Sequence, residues 1–115
     1  MKLQKEIEKL FDFELIPSKE GFKKIFEILL EKFYSDDTKN RKLSIEESLD
    51  NLEKHFTYDF EINNIKYNVN LSQILSDKPI DYHYIEDSEC SHIYTIDDYN
   101  YKIKITKHPA KNPII

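Results

Sequence analysis

Residues 57–71 read TYDFEINNIKYNVNL, and every second residue is apolar: Tyr58, Phe60 and Ile62 before the pair Asn63-Asn64, then Ile65, Tyr67, Val69 and Leu71 after it. A period of two is the pattern of a strand with one buried face. Asn tolerates positive φ, so Asn63-Asn64 suits a two-residue primed turn that sets Ile62 opposite Ile65 and Phe60 opposite Tyr67. The other face carries Thr57, Asp59, Glu61, Lys66, Asn68 and Asn70, so Phe60 is expected in the core and Asp59 in solvent. A sheet with one apolar and one polar face is covered on one side only.

The cover is expected from the residues before 57. Leu3, Ile7, Leu10 and Phe11 recur at helical spacing and predict a short amphipathic helix over residues 3–11. Pro17 ends the next segment, and Ser18 stands at an N-cap position before a second helix over residues 19–34. That helix bears the stripe Phe22, Ile25, Phe26, Leu29, Leu30 and Phe33, with Ile28 at its margin. Residues 35–42 are polar and read as a loop. Ser44 and Glu47 match a capping box, and Ile45, Leu49, Leu52 and Phe56 follow at helical spacing, which predicts a third helix ending near His55.

After residue 71, a connector at 72–79 allows one helical turn at 73–75 before Pro79. Three more strands are expected at 82–86, 92–96 and 99–106, joined by an acidic loop at 87–91 and a turn at Asp97-Asp98. Tyr94, Ile96, Tyr99, Tyr101, Ile103 and Ile105 share one parity and face inward. The resulting expectation is an α+β fold: three N-terminal helices packed on one face of an antiparallel sheet of about five strands, in two layers. A single domain spans residues 1–106, with the helices within 3–56 and the strands within 57–106, and residues 107–115 form an extended C-terminal tail.

The 115-residue chain carries 17 basic and 22 acidic residues, a net charge of −5, and is 39% hydrophobic, values that suit one small globular domain. Its single glycine, Gly21, excludes glycine-dependent phosphate loops and nucleophile elbows. One cysteine, Cys90, excludes an intramolecular disulfide and points to a reducing compartment. No stretch has the length of a membrane span or the form of a signal peptide, so a soluble, cytoplasmic protein is expected.

His83, Glu89, Cys90 and His92 fall within ten residues and raise the question of metal or nucleophile chemistry. One Cys-x-His without a second ligand pair is not a structural zinc pattern. With a loop at 87–91, Glu86 faces His92, Ile85 faces Ile93 and Tyr84 faces Tyr94. His83 and His92 then point to opposite faces, and only a one-residue bulge would join them. Cys90 is expected in a hairpin loop among acids that disfavour its thiolate. No catalytic residue, metal or cofactor is expected. His55 reads as a cation near a helix C-terminus, and His108 as a solvated tail residue. Lys102, Lys104, Lys107 and Lys111 read as edge-strand protection, and direct nucleic-acid binding is not expected of an acidic chain.

The charge is most uneven in residues 77–101. Asp77, Asp81, Glu86, Asp87, Glu89, Asp97 and Asp98 stand there against Lys78 alone, interleaved with Tyr82, Tyr84, Tyr94, Tyr99 and Tyr101. Acidic turns beside amphipathic rings suit a surface that docks onto a basic protein, because complementary charge speeds encounter and tyrosine supplies contact area at small entropic cost. The expected function is therefore a non-enzymatic protein-binding module or inhibitor of immunity, antitoxin or phage anti-defence type. Its partner would be a nuclease or nucleic-acid-binding protein, engaged through Asp81, Glu86, Asp87, Glu89, Asp97, Asp98 and Tyr99. The alternatives are a small metal- or histidine-dependent hydrolase and a structural subunit or homo-oligomer.

Overall fold

The computed structural model describes residues 2–49 and 51–109. In chain order it comprises α1 (Lys2–Lys9), a 3-10 turn (Phe13–Leu15), α2 (Lys19–Phe33), β1 (Lys39–Ser48), β2 (Asn51–Ile62), β3 (Ile65–Leu75), β4 (Tyr82–Ile85), β5 (Glu89–Ile96) and β6 (Tyr99–Pro109). The strands form one antiparallel sheet in the order β1-β2-β3-β6-β5-β4. Among the described residues the architecture is thus two α-helices on a six-stranded sheet, still α+β, and the expectation of three helices over five strands is corrected.

The missing third helix is the source of the difference. The residues expected to form it lie in β1 and β2, with Ser48 opposite Asn51 and Leu43 opposite Phe56. An alternation the helical reading overlooks runs from Leu52 through Phe56, Tyr58 and Phe60, and it lets β2 extend its pairing with β3 up to Glu53 opposite Ile74. A helix ending at His55 would have given up that ladder and the burial of Phe56. Strand structure therefore begins at Lys39 and not at residue 57. Likewise β3 continues through the expected connector to Leu75, and β6 continues through Lys107 to Pro109. Of the expected tail, residues 110–115 lie outside the described residues.

The Asn63-Asn64 hairpin has the register the alternation specifies: Phe60 faces Tyr67, Ile62 faces Ile65, and both asparagines have positive φ of 52° and 63°. Helix α2 starts as expected, with Ser18 Oγ accepting from Gly21 N at 3.1 Å. Its buried stripe crosses the strands: Phe22 meets Tyr94 of β5 with ring centroids 4.9 Å apart, Phe26 meets Tyr101 of β6 at 5.2 Å, and Phe33 meets Phe56 of β2 at 5.3 Å. Fifteen residues give a helix about 22 Å long, close to the width of the sheet. Two tyrosines pin the helices. Tyr58 donates to Leu29 O at 2.7 Å, and Tyr67 donates to Glu8 Oε2 at 2.8 Å. Ile7, Leu10, Val69, Leu71, Ile103 and Ile105 complete one fully buried cluster.

Among the described residues, the opposite face of the sheet carries no helix. It presents Thr57, Asp59, Asn68, Asn70, Ser72, Lys102, Lys104 and Thr106. Asp59, expected in solvent, is only 7% exposed there, because Asn40 Nδ2 donates to its Oδ2 at 2.7 Å and Asn68 Nδ2 donates to Oδ1. Asn40 reaches it from a bulge between Lys39 and Lys42, at a φ of 55°. Strand β6 lies between β3 and β5, so Lys102 and Lys104 are not edge protection as expected. Lys107 lies on the helix side, paired with Glu8 Oε1 at 2.7 Å and 4.3 Å from the centre of the Phe11 ring. Among the described residues, no helix is long and apolar enough to cross a membrane.

Candidate functional site

Strand β5 separates the acidic residues into two groups. Its eight residues span about 25 Å, with residues 86–88 connecting to β4 at one end and Asp97-Asp98 connecting to β6 at the other. Glu86, Asp87 and Glu89 therefore stand at one end of the sheet, whereas Asp81, Asp97, Asp98 and Tyr99 stand at the opposite end. The seven proposed residues do not share one surface. At the first end Glu89 pairs with Lys104 at 3.5 Å, and the backbone closes with Glu86 N on Glu89 O at 2.8 Å and Lys107 N on Ser88 O at 2.9 Å.

The second end is built by a strap. To pass from β3 to β4 the chain must cross the ends of β6 and β5, and it is fastened to both on the way. Ser76 N donates to Asp98 O at 3.0 Å, Asn100 Nδ2 donates to Lys78 O at 3.2 Å, and Ile80 N donates to Thr95 Oγ1 at 2.6 Å. Asp81 Oδ1 accepts from Thr95 N at 3.1 Å, which orients its other oxygen toward Lys19 Nζ at 3.9 Å. Asp97 adopts a φ of 56°, the left-handed conformation that Asp accepts more readily than most residues. This end thereby collects Asp77, Asp81, Asp97 and Asp98, with Lys78 as the one basic residue of the strap.

A shallow depression at this end is lined by Leu49, Asn51, Leu75, Ser76, Asp77, Lys78 and Asp98. Leu49 is fully exposed and Leu75 half-buried, so two leucines border two carboxylates. Tyr99 faces Leu75 across the β3–β6 ladder and is half-buried, with its ring 6.1 Å from that of Tyr101. Reading by charge alone misses Leu49 and Leu75, because helical spacing puts Leu49 on the buried face of a helix that does not form.

The expected separation of His83 and His92 is also corrected. The β4–β5 register places Tyr84 opposite Ser91 and Ile85 opposite Cys90, so His83 lies directly opposite His92 on the helix side. Their Nδ1 atoms are 2.9 Å apart, and His92, fully buried, has its Nε2 2.7 Å from Leu10 O. Burial lowers both pKa values below the usual histidine range; the nearby Asp81 carboxylate partly opposes this for His83, and the bond to Leu10 for His92. Both ring nitrogens of His92 are engaged, and no cluster of three or more His, Cys, Asp or Glu side chains suited to a metal ion occurs among the described residues.

Cys90 is not in a loop as expected but in β5, with no solvent exposure. Burial pushes its thiol up to about 12, which removes the thiolate a nucleophile requires. His55 is no helix terminus either. It lies on the open face of β2 with Nδ1 2.9 Å from Ser72 Oγ and Nε2 3.7 Å from Glu53 Oε1. This Glu-His-Ser series has the members of a hydrolytic triad, but its serine is buried in the sheet. Ser72 is 2% exposed and its Oγ also lies 3.3 Å from Asn70 Oδ1, so the hydroxyl is closed to a substrate. His108, expected in the tail, lies in β6 opposite Lys66 and is exposed.

Comparison of the chain with protein families, with curated proteins and with solved structures finds no match.

Proposed function

We propose that the protein is a non-enzymatic inhibitor or binding module that docks the end bearing Asp77, Asp81, Asp97, Asp98 and Tyr99 onto a basic protein. A nuclease or a nucleic-acid-binding protein has the matching charge, as in immunity, antitoxin or phage anti-defence pairs, and such a module acts in the cytoplasm. The observation that carries the reading is the shared depression, where Leu49 and Leu75 are bordered by Asp77 and Asp98. An apolar centre with a polar rim is the usual anatomy of a protein interface, and the rim charge selects the partner and speeds encounter. The engagement of His92 on both nitrogens and the raised Cys90 thiol favour binding over a hydrolytic role.

Binding kinetics against a panel of basic nucleases at two ionic strengths tests this. The pair Asp97→Asn and Asp98→Lys, in which Asn keeps the left-handed turn, should slow association and flatten its salt dependence without lowering the melting temperature. The pair Glu86→Lys and Asp87→Lys, at the other end of β5, should leave association close to wild type. Leu49→Ala and Tyr99→Ala should raise the dissociation rate. A panel in which no member binds, or association indifferent to the 97/98 substitutions, overturns the reading.

A further inference from the structure

Strand β1 is an outer strand of the sheet, ten residues long, and all of it is exposed except the half-exposed Ser44. Among the described residues no strand pairs with its outer side, whose backbone groups can receive a second strand. Proteins commonly guard such an edge with charge, and β1 carries five charges, but their order is unusual. Lys39, Arg41 and Lys42 occupy its first half, and Glu46 and Glu47 its second. Charges so divided repel a parallel copy and attract an antiparallel one.

We propose that β1 pairs antiparallel with β1 of a second copy of this chain, about a two-fold axis through Ser44, to join two six-stranded sheets into one of twelve strands. In that register Ser44 faces Ser44 of the second copy. Lys42 faces Glu46, a pair that occurs twice by symmetry. On the helix side Leu43 faces Ile45, and these are 43% and 52% exposed in the single chain. A two-fold axis perpendicular to the sheet keeps paired side chains on the same face, so both copies place their helices on one side. The four apolar side chains then form a single cluster across the junction.

A feature within the chain points the same way. Glu46 stands directly opposite Glu53 on β2, and like charges so placed oppose pairing. Lys42 of the second copy would arrive beside Glu46 and offset that repulsion. The bulge at Asn40 does not interfere, because the regular run from Lys42 to Ser48 contains the centre of the register. The depression bordered by Leu49, Leu75 and Asp98 lies at the end of β1 and beyond it, so dimer formation does not depend on the binding role proposed above.

Sedimentation equilibrium on the full chain, with circular dichroism to check folding, tests the pairing. Wild type should give a mass twice that of the 13.9 kDa chain. Lys42→Glu alone and Glu46→Lys alone should each give monomer, because each turns both cross-copy pairs into like-charge pairs. Mixing these two variants should restore the dimer, since the carboxylate introduced at position 42 of one then meets the ammonium introduced at position 46 of the other, while the unaltered Glu46 and Lys42 remain paired. A monomeric wild type at millimolar concentration, a dimer insensitive to either variant, or two monomeric variants that fail to associate on mixing overturns the proposal. None of these readouts involves a basic partner, so their failure is separable from failure of the binding reading.

Discussion

His83 and His92 face one another across β4 and β5 with their Nδ1 atoms 2.9 Å apart, so only one of those two atoms carries a proton. The carbonyl of Leu10 can only accept, and it therefore holds the proton of His92 on Nε2. Neutral His92 then presents a lone pair at Nδ1, and His83 donates to it. This chain of donors ties β4 through β5 to the end of α1. A second proton can be added at Nε2 of His83 without breaking the chain, whereas protonating His92 sets two N–H groups against each other.

Stability should therefore fall as pH falls through the histidine range. Both folded pKa values are lowered, so below the unfolded value of 6.5 the unfolded chain binds more protons than the folded one, and stability is progressively lost. Each proton refused by buried His92 corresponds to about 1.4 kcal/mol per pH unit. Denaturant midpoints between pH 7.5 and 5 should drop for wild type and flatten in His92→Gln, which keeps a donor for Leu10. The window is separate from that of Asp37, whose carboxyl is held below 3.8 chiefly by the hydrogen bond from Lys32. A midpoint equally steep in His92→Gln would contradict the assignment.

Asp59→Lys should destabilise the fold although the residue lies on the polar face. The substitution removes the acceptor for Asn40 and Asn68 and crowds an ammonium group against two amide donors, a loss of about 1 to 3 kcal/mol. Phe60→Asp, which buries a charge in the aromatic stack between Tyr58 and Tyr67, should cost more. Urea titration of the two variants gives the order directly.

Cys90→Ser should also lower stability, by about 1 to 3 kcal/mol, because the site is closed to water and the hydroxyl replaces a group packed as an apolar one. In the native chain a thiol reagent should label Cys90 only as fast as the protein opens. Labelling at the rate of a free thiol would show that β5 is accessible, contrary to its burial.

Tyr58→Phe keeps the ring stacked near Phe33 and Phe60 and removes only the bond to Leu29 O. Because that carbonyl lies inside α2 and also serves the helix, the expected loss is modest, about 0.5 to 1.5 kcal/mol. Calorimetry on this variant measures how firmly α2 is fastened to β2.

What could be read from the amino acids depended on whether a local signal had competitors. The 57–71 hairpin had none: strict alternation and two asparagines leave one register, because a shift of one residue would expose Phe60, Tyr67 and Val69 together. In residues 44–56 two periods overlap. Ile45, Leu49, Leu52 and Phe56 fit a helix, while Leu52 and Phe56 also fit the face of β2, and the choice is made by Ile74 and its neighbours on β3, which a local reading does not see. The β4–β5 turn contains no glycine or asparagine to specify its length, so the register of His83 was open, and with it the pair at the centre of the histidine chain. The candidate site followed the same pattern. Charge was visible in sequence, but its division between two ends of β5, the strap over them, and the place of Leu49 follow from strand order.

That strand order also bears on how the chain meets the ribosome. Helix α1 is synthesised before the sheet, yet His92 and Lys107, which hold Leu10 O and Glu8, follow their partners by 82 and 99 residues, and Ile65 waits for Pro109. At bacterial or eukaryotic elongation speeds the interval between the first helix and its final partners is roughly 4 to 20 s. The β1–β3 meander can assemble early from neighbouring segments and cover Phe33 with Phe56, but Phe22 and Phe26 remain uncovered until Tyr94 and Tyr101 appear. Docking of α2 is consequently split in time: its Phe33 end can settle on β2, whereas its Phe22 end has to wait for β5 and β6.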